Sequence, residues 1–112
     1  MSKDKPDISP EFTASEDILL KKNSWVLYIL ECADKSLYTG ITNRLLHRIQ
    51  AHQAGTGARY TRSRLPVKLV YVEACIDRSH ASKREYEVKK LNKRQKMGLF
   101  AADSLTTGGF AG

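Results

Sequence analysis

The spacing of hydrophobic and polar positions changes several times along the chain, and each change predicts an element. Trp25–Cys32 is a run of apolar and β-favouring residues, the signature of a strand buried on both faces. Ala33-Asp34-Lys35-Ser36 is a polar turn and Leu37–Thr42 a second short strand, so the two predict a β-hairpin. Thr42 or Asn43 then offers a cap for a helix running to about Ala54, which Gly55-Thr56-Gly57 ends. Residues 58–64, ARYTRSR, read as a basic loop. Pro66–Cys75 reads as a third strand, with Val67, Leu69 and Tyr71 on one face and Val70, Val72 and Ala74 on the other. Asp77 or Ser79 caps a second helix to about Leu91, and Asn92 a short third helix, Lys93–Ala101. The order ββαβαα predicts an α+β fold: a small, mostly antiparallel three-stranded sheet flanked by helices.

The ends lack this patterning. Residues 1–22, with Pro6, Pro10 and scattered charges, read as an N-terminal extension, and residues 103–112 as a flexible tail, which leaves a domain over 23–102. The chain has 112 residues, enough for one modest core. No apolar run approaches the ~20 residues of a membrane span. The N-terminus has no signal-peptide core, so the expectation is a cytoplasmic protein without a membrane partner. Cys32 and Cys75 lie in apolar stretches at a spacing that fits no zinc pattern, and they read as reduced structural thiols.

Charge narrows the function. Residues 1–24 hold four Lys against five acids, net −1, whereas residues 25–100 hold fifteen Lys and Arg against six acids, net +9. The basic field belongs to the domain, and it points to a polyanion, nucleic acid first. Arg59, Arg62 and Arg64, with Tyr60 among them, resemble a phosphate-tracking surface with a stacking ring. Lys89 and Lys93 belong to a second basic run.

Three further constellations carry chemistry. Tyr28 and Tyr38 are placed to face each other across the hairpin, and Gly40 inside the second strand marks a close approach by a ligand or another backbone. On the first helix, Arg44, Arg48 and His52 form a stripe at i, i+4, i+8 beside the buried face, with Arg48 and His52 as neighbours suited to a phosphate. Glu85 interrupts the apolar stripe of the second helix and needs a cation. That cation is a divalent metal, Lys89 one turn on, or Arg48.

Taken together, a Tyr on strand one (Val26-Leu27-Tyr28), Tyr38-Thr39-Gly40 on strand two, Arg48-x-x-x-His52 and Glu85 resemble the GIY-YIG nuclease superfamily. LYTGITNRLLHRIQAH (37–52) and REYEVKKLNKRQK (84–96) are similar to its small single-domain bacterial members, the YhbQ-like group. The resemblance covers about residues 24–100. It implies a metal-dependent endonuclease that hydrolyses DNA phosphodiesters and is directed by DNA structure rather than sequence, in repair or recombination. It implies Tyr28 as general base, helped by a cation that lowers its pKa, and Tyr38 as holder of the water or a phosphate oxygen. Arg48 would bind the scissile phosphate, His52 would orient or transfer a proton, and Glu85 would anchor one Mg²⁺ or Mn²⁺. The first triplet keeps only its Tyr, and Asn92 reads as a helix cap rather than as the downstream Asn of many relatives. With no attached DNA-binding domain, targeting falls to DNA structure or to a protein partner. Nothing here reads the 2′-hydroxyl, so RNA stays open as a target. The alternative is a non-catalytic nucleic-acid-binding module using the same basic surface.

Overall fold

The computed structural model of the chain describes residues 24–105, with side chains as far as Phe100. The expected extension over 1–22 and the last residues of the expected tail, 106–112, lie outside the described residues. The elements are β1 (Val26–Glu31), β2 (Leu37–Thr42), α1 (Leu45–Gln53), α2 (Arg59–Arg62), β3 (Lys68–Ala74), α3 (Arg78–Lys89) and α4 (Lys93–Leu105). The sheet order is β2-β1-β3 and both pairings are antiparallel. Among the described residues, no helix is long and apolar enough to cross a membrane.

The apolar run of β1 makes it the central strand, and Val26 to Leu30 are each at most 1% exposed. Alternation splits its side chains between two cores. Val26, Tyr28, Leu30 and Cys32 pack with Leu45 and Ile49 of α1 and with Val67 and Leu69. Leu27 and Ile29 pack with Val70 and with Val88 of α3, joined by Leu91, Leu99 and Phe100. Each fully buried Leu or Ile contributes roughly 1.5–3 kcal/mol, and the two clusters hold α1 and α3 on opposite faces of the sheet.

β3 departs from strict alternation. Ile29 stands opposite Tyr71 but Leu30 opposite Leu69, so Val70 is an extra residue at a bulge. A one-residue insertion reverses the faces of everything after it. Val72 therefore joins Val67 and Leu69 on the α1 side, and Tyr71 joins Val70 on the other. This corrects the regular pattern expected over Val67–Ala74.

Helix boundaries follow local hydrogen bonds. The N-cap of α1 is Arg44, not Thr42 or Asn43. Thr42 instead accepts the Arg44 N–H at 3.0 Å and shapes the turn before the helix. Half of the expected basic loop coils into α2. Asp77 caps α3, accepting from His80 N–H at 2.9 Å. Asn92 accepts from Gln95 N–H at 2.8 Å while the Gln95 side chain accepts from Asn92 N–H at 2.9 Å, a reciprocal cap that starts α4. α4 then continues to Leu105, past the expected end at Ala101. Gln53 at the end of α1 bonds both the N–H and the C=O of Val67, which fixes α1 against the chain entering β3.

Candidate active site

Tyr28 leaves β1 on the α1 side and lies opposite Gly40 of β2. A Cβ at Gly40 would stand 2.5 Å from the Tyr28 hydroxyl, so the close approach that this glycine permits is that of the Tyr28 side chain. Here the expectation of a ligand or a backbone is corrected. The Tyr28 hydroxyl is 2.9 Å from His52 Nε2, and His52 Nδ1 is 2.8 Å from Thr61 Oγ1. All three side chains are buried.

His52 thus lies not at the edge of the buried face but fully inside it, while Arg44 is exposed. Both its ring nitrogens have buried partners, and these hold the imidazole inside the fold. Gly57 completes the enclosure, since a Cβ there would stand 2.6 Å from His52 Nδ1. Rings continue outward from this pair. Tyr38 meets His52 edge-on at 5.2 Å between centroids and stacks on Tyr60 at 6.1 Å. Tyr28 and Tyr38 are 6.4 Å apart, so the tyrosine pair does converge, diagonally across the ladder rather than directly opposite.

Arg48 lies half-buried beside this cluster, close enough to interact with Tyr28 and then Tyr38, and these interactions raise its own pKa against partial burial. Burial pushes Tyr28 up to about 12, outweighing the lowering by Arg48, with Tyr38 and Glu85 adding to the rise. A nearby cation is present, as expected, but desolvation wins. Burial, and then the Arg48 charge, bring His52 down to about 4. At neutral pH the resting site therefore holds a neutral phenol, a neutral imidazole and a guanidinium.

Glu85 projects from α3, a different helix, yet its charge is felt at Tyr28. Its ion-pair partner is Lys89 at 3.1 Å, the i+4 neighbour. Among the described residues no three His, Cys, Asp or Glu side chains gather to enclose a metal. One carboxylate that keeps a quarter of its surface open suits a hard cation that retains waters and takes phosphate oxygens, as Mg²⁺ and Mn²⁺ do. Thr39 Oγ1, on the β2 face turned away from α1, is buried without a hydrogen-bond partner.

The basic residues separate into two groups. Arg44, Arg59, Arg62 and Lys93 are exposed. Lys89 is paired with Glu85. Arg64 is committed: it bonds Asp34 at 3.1 Å and the Tyr60 carbonyl at 2.9 Å, with its guanidinium 3.9 Å above the Tyr60 ring. Tyr60 is accordingly engaged by Tyr38 and Arg64 while part of its ring stays exposed. Sequence reasoning missed Thr61, Gly57 and Asp34. The helical turn over Arg59–Arg62, which aims Thr61 inward, has no apolar period to reveal it.

The sheet, the converging tyrosines and the Arg–His helix define a small α+β domain. A family model described as the GIY-YIG catalytic domain matches residues 24–98, and the chain belongs to that family, a nuclease superfamily. It is 55% identical over 80 residues to a UPF0213 protein of Desulfotalea psychrophila, covering 70% of this chain and 73% of that one. It is 53% identical over 79 residues to a UPF0213 protein of Clostridium perfringens, covering 70% of this chain and 85% of that one. Among solved structures it is similar to the protein EF2693 of E. faecalis, determined by solution NMR. That match has 34% identity and a TM-score of 0.52, covering 81% of this chain and 95% of the other.

Proposed function

We propose that this protein is a divalent-metal-dependent endonuclease that hydrolyses DNA phosphodiesters, selecting DNA structure rather than sequence, in repair or recombination. The observation that carries the reading is the convergence of Tyr28, Tyr38 and Arg48 around one point, with His52 bonded behind Tyr28. Arg48 binds a non-bridging oxygen of the scissile phosphate and offsets the charge that grows there. Tyr38 holds the attacking water. As the water oxygen bonds to phosphorus, its proton passes to the Tyr28 oxygen and the Tyr28 proton passes to His52 Nε2. The ester P–O bond breaks and the leaving oxygen takes a proton from solvent.

His52 is a weak base at rest because it is buried and, second, because the Arg48 charge lies near it. A phosphate on Arg48 offsets that charge, so substrate binding itself strengthens the proton acceptor. Glu85 would hold one Mg²⁺ or Mn²⁺, which supplies charge to stabilise the phosphate and the leaving oxygen. Arg44, Arg59, Arg62 and Lys93 track the flanking backbone, with Lys89 joining them where Glu85 turns to the metal. The test is cleavage of labelled single-stranded, duplex, flap and branched DNA, and of matched RNA, with Mg²⁺, Mn²⁺ or EDTA. Metal-dependent cutting of DNA by wild type, lost in Glu85→Gln with binding retained, is expected. Salt-sensitive binding without cutting on any form would instead favour a non-catalytic binding module or a dependence on a protein partner.

A further inference from the structure

We infer that Thr61 is a positioning residue that fixes the tautomer of His52 and so aims the Tyr28 proton at the imidazole. The inference rests on the Tyr28–His52 relay proposed above, and it adds a residue to which sequence gave no role.

The argument is a count of protons. Thr61 has one hydroxyl proton, and it donates to the Ala58 carbonyl at 3.1 Å. Thr61 Oγ1 can then only accept from His52 Nδ1, 2.8 Å away, so Nδ1 carries the imidazole proton. A neutral imidazole has one such proton, which leaves the Nε2 lone pair facing the Tyr28 hydroxyl at 2.9 Å. Tyr28 therefore donates to His52, while its oxygen stays free to accept from Arg48 and from a water. In the opposite arrangement Nε2–H would point at the Tyr28 oxygen, and the Tyr28 proton would lose His52 as its acceptor. The first arrangement gives the Thr61, His52 and Tyr28 protons each an acceptor inside the buried cluster itself.

The surroundings enforce this choice. Thr61 and His52 are both fully buried, so bulk water does not compete for Nδ1. The Ala58 carbonyl that takes the Thr61 proton also accepts from Arg62 N–H, which fixes it at the start of α2. Gly57 brings the chain against the imidazole from the other side, where a Cβ would stand 2.9 Å from the His52 Cα. The short helix α2 thereby serves as a bracket for one imidazole nitrogen.

The experiment is ¹⁵N NMR of the histidine ring nitrogens in the full chain at neutral pH, for wild type, Thr61→Val and Thr61→Ser. The same proteins are assayed for cleavage with saturating metal. Wild type is expected to show a protonated Nδ1 and a bare Nε2 at His52. Thr61→Val should lose that preference and lower kcat by about tenfold or more, with KM for DNA unchanged. Thr61→Ser, which keeps the hydroxyl, should restore both. A wild-type spectrum with Nε2 protonated overturns the inference, as does a folded Thr61→Val with the wild-type tautomer. If Thr61→Val does not fold, the wild-type and Thr61→Ser spectra decide. The ring spectra need no activity, so a wild type that cuts nothing counts against cleavage by the unaided protein, while the spectra alone decide the tautomer.

Discussion

Gly40 and Tyr28 occupy one space: the phenol crosses the β2 backbone where any other residue would place its Cβ, 2.5 Å from the hydroxyl. The Tyr28 ring is buried and held by His52, so it has no free direction in which to yield. Gly40→Ala is therefore expected to cost about 1–3 kcal/mol of stability, the usual range for overpacking. It should also remove cleavage more completely than that stability loss explains, because the displaced group is the proposed base. Urea denaturation beside a cleavage assay on the folded fraction checks both. A stable, active Gly40→Ala would mean that the ring moves at little cost.

His52 predicts a pH dependence of stability. Its ordinary pKa is near 6.5, and burial together with Arg48 brings it to about 4 in the folded chain. Between those values the unfolded chain binds a proton that the folded chain refuses. Stability from this group is complete above about pH 6.5 and is lost as pH falls through about 4. The loss amounts to at most about 3 kcal/mol. Urea midpoints at pH 7.5 and 4.5 should differ accordingly in wild type and much less in His52→Gln. Equal differences in the two proteins would show that other groups set the slope.

How much of this was legible in the sequence depends on where the information lies. Composition and period place β1 at the centre, and Asp77 and Asn92 carry their cap chemistry openly. Strand and helix periods put the tyrosines, Arg48 and Glu85 each on a face, but only the resemblance to the GIY-YIG superfamily joined them into one constellation. The bulge at Val70 was not legible, since Leu69-Val70-Tyr71-Val72 is apolar on both faces and has no polar residue to betray a shift of register. Nor was the burial of His52. On a helical wheel it flanks Arg48, and only its partners Tyr28 and Thr61, 24 and 9 residues away, account for its inward place. Likewise Arg64 looks like Arg62 until Asp34 is brought beside it from 30 residues away.

Arg84 exemplifies a basic residue spent on the fold. It bonds Glu73 of β3 at 2.7 Å and Glu87 at 3.1 Å, and these contacts raise its pKa despite partial burial. Tyr71 donates to the other Glu73 oxygen at 2.8 Å. Arg84→Met leaves the half-buried Glu73 with Tyr71 alone, and it should cost about 1–2 kcal/mol after allowance for solvent screening. Thermal denaturation reads that loss. DNA affinity of the folded variant at moderate salt should stay close to wild type, and a large drop would place Arg84 in the binding surface instead.

The arginines of α2 and its end provide the sharpest contrast. Arg59 and Arg62 are exposed, whereas Arg64 is held by Asp34, the Tyr60 carbonyl and the Tyr60 ring. Charge alone makes the three equivalent; geometry does not. Removing an arginine that contacts phosphate lowers the slope of log affinity against log salt by about 1. Arg59→Ala and Arg62→Ala should each show that change with the maximal cleavage rate preserved. Arg64→Ala should leave the slope nearly unchanged. It should instead slow cleavage, because Tyr60 loses its clamp and Tyr38, stacked on Tyr60, loses its support. Asp34→Ala should reproduce the Arg64→Ala phenotype, and the double variant should be no worse than either single one, as for two residues of one network. Salt titrations of binding and single-turnover cleavage rates on the four single variants and the double one separate the two roles. A full slope change in Arg64→Ala, with an unaltered rate, would return Arg64 to the phosphate-tracking surface that its sequence suggests.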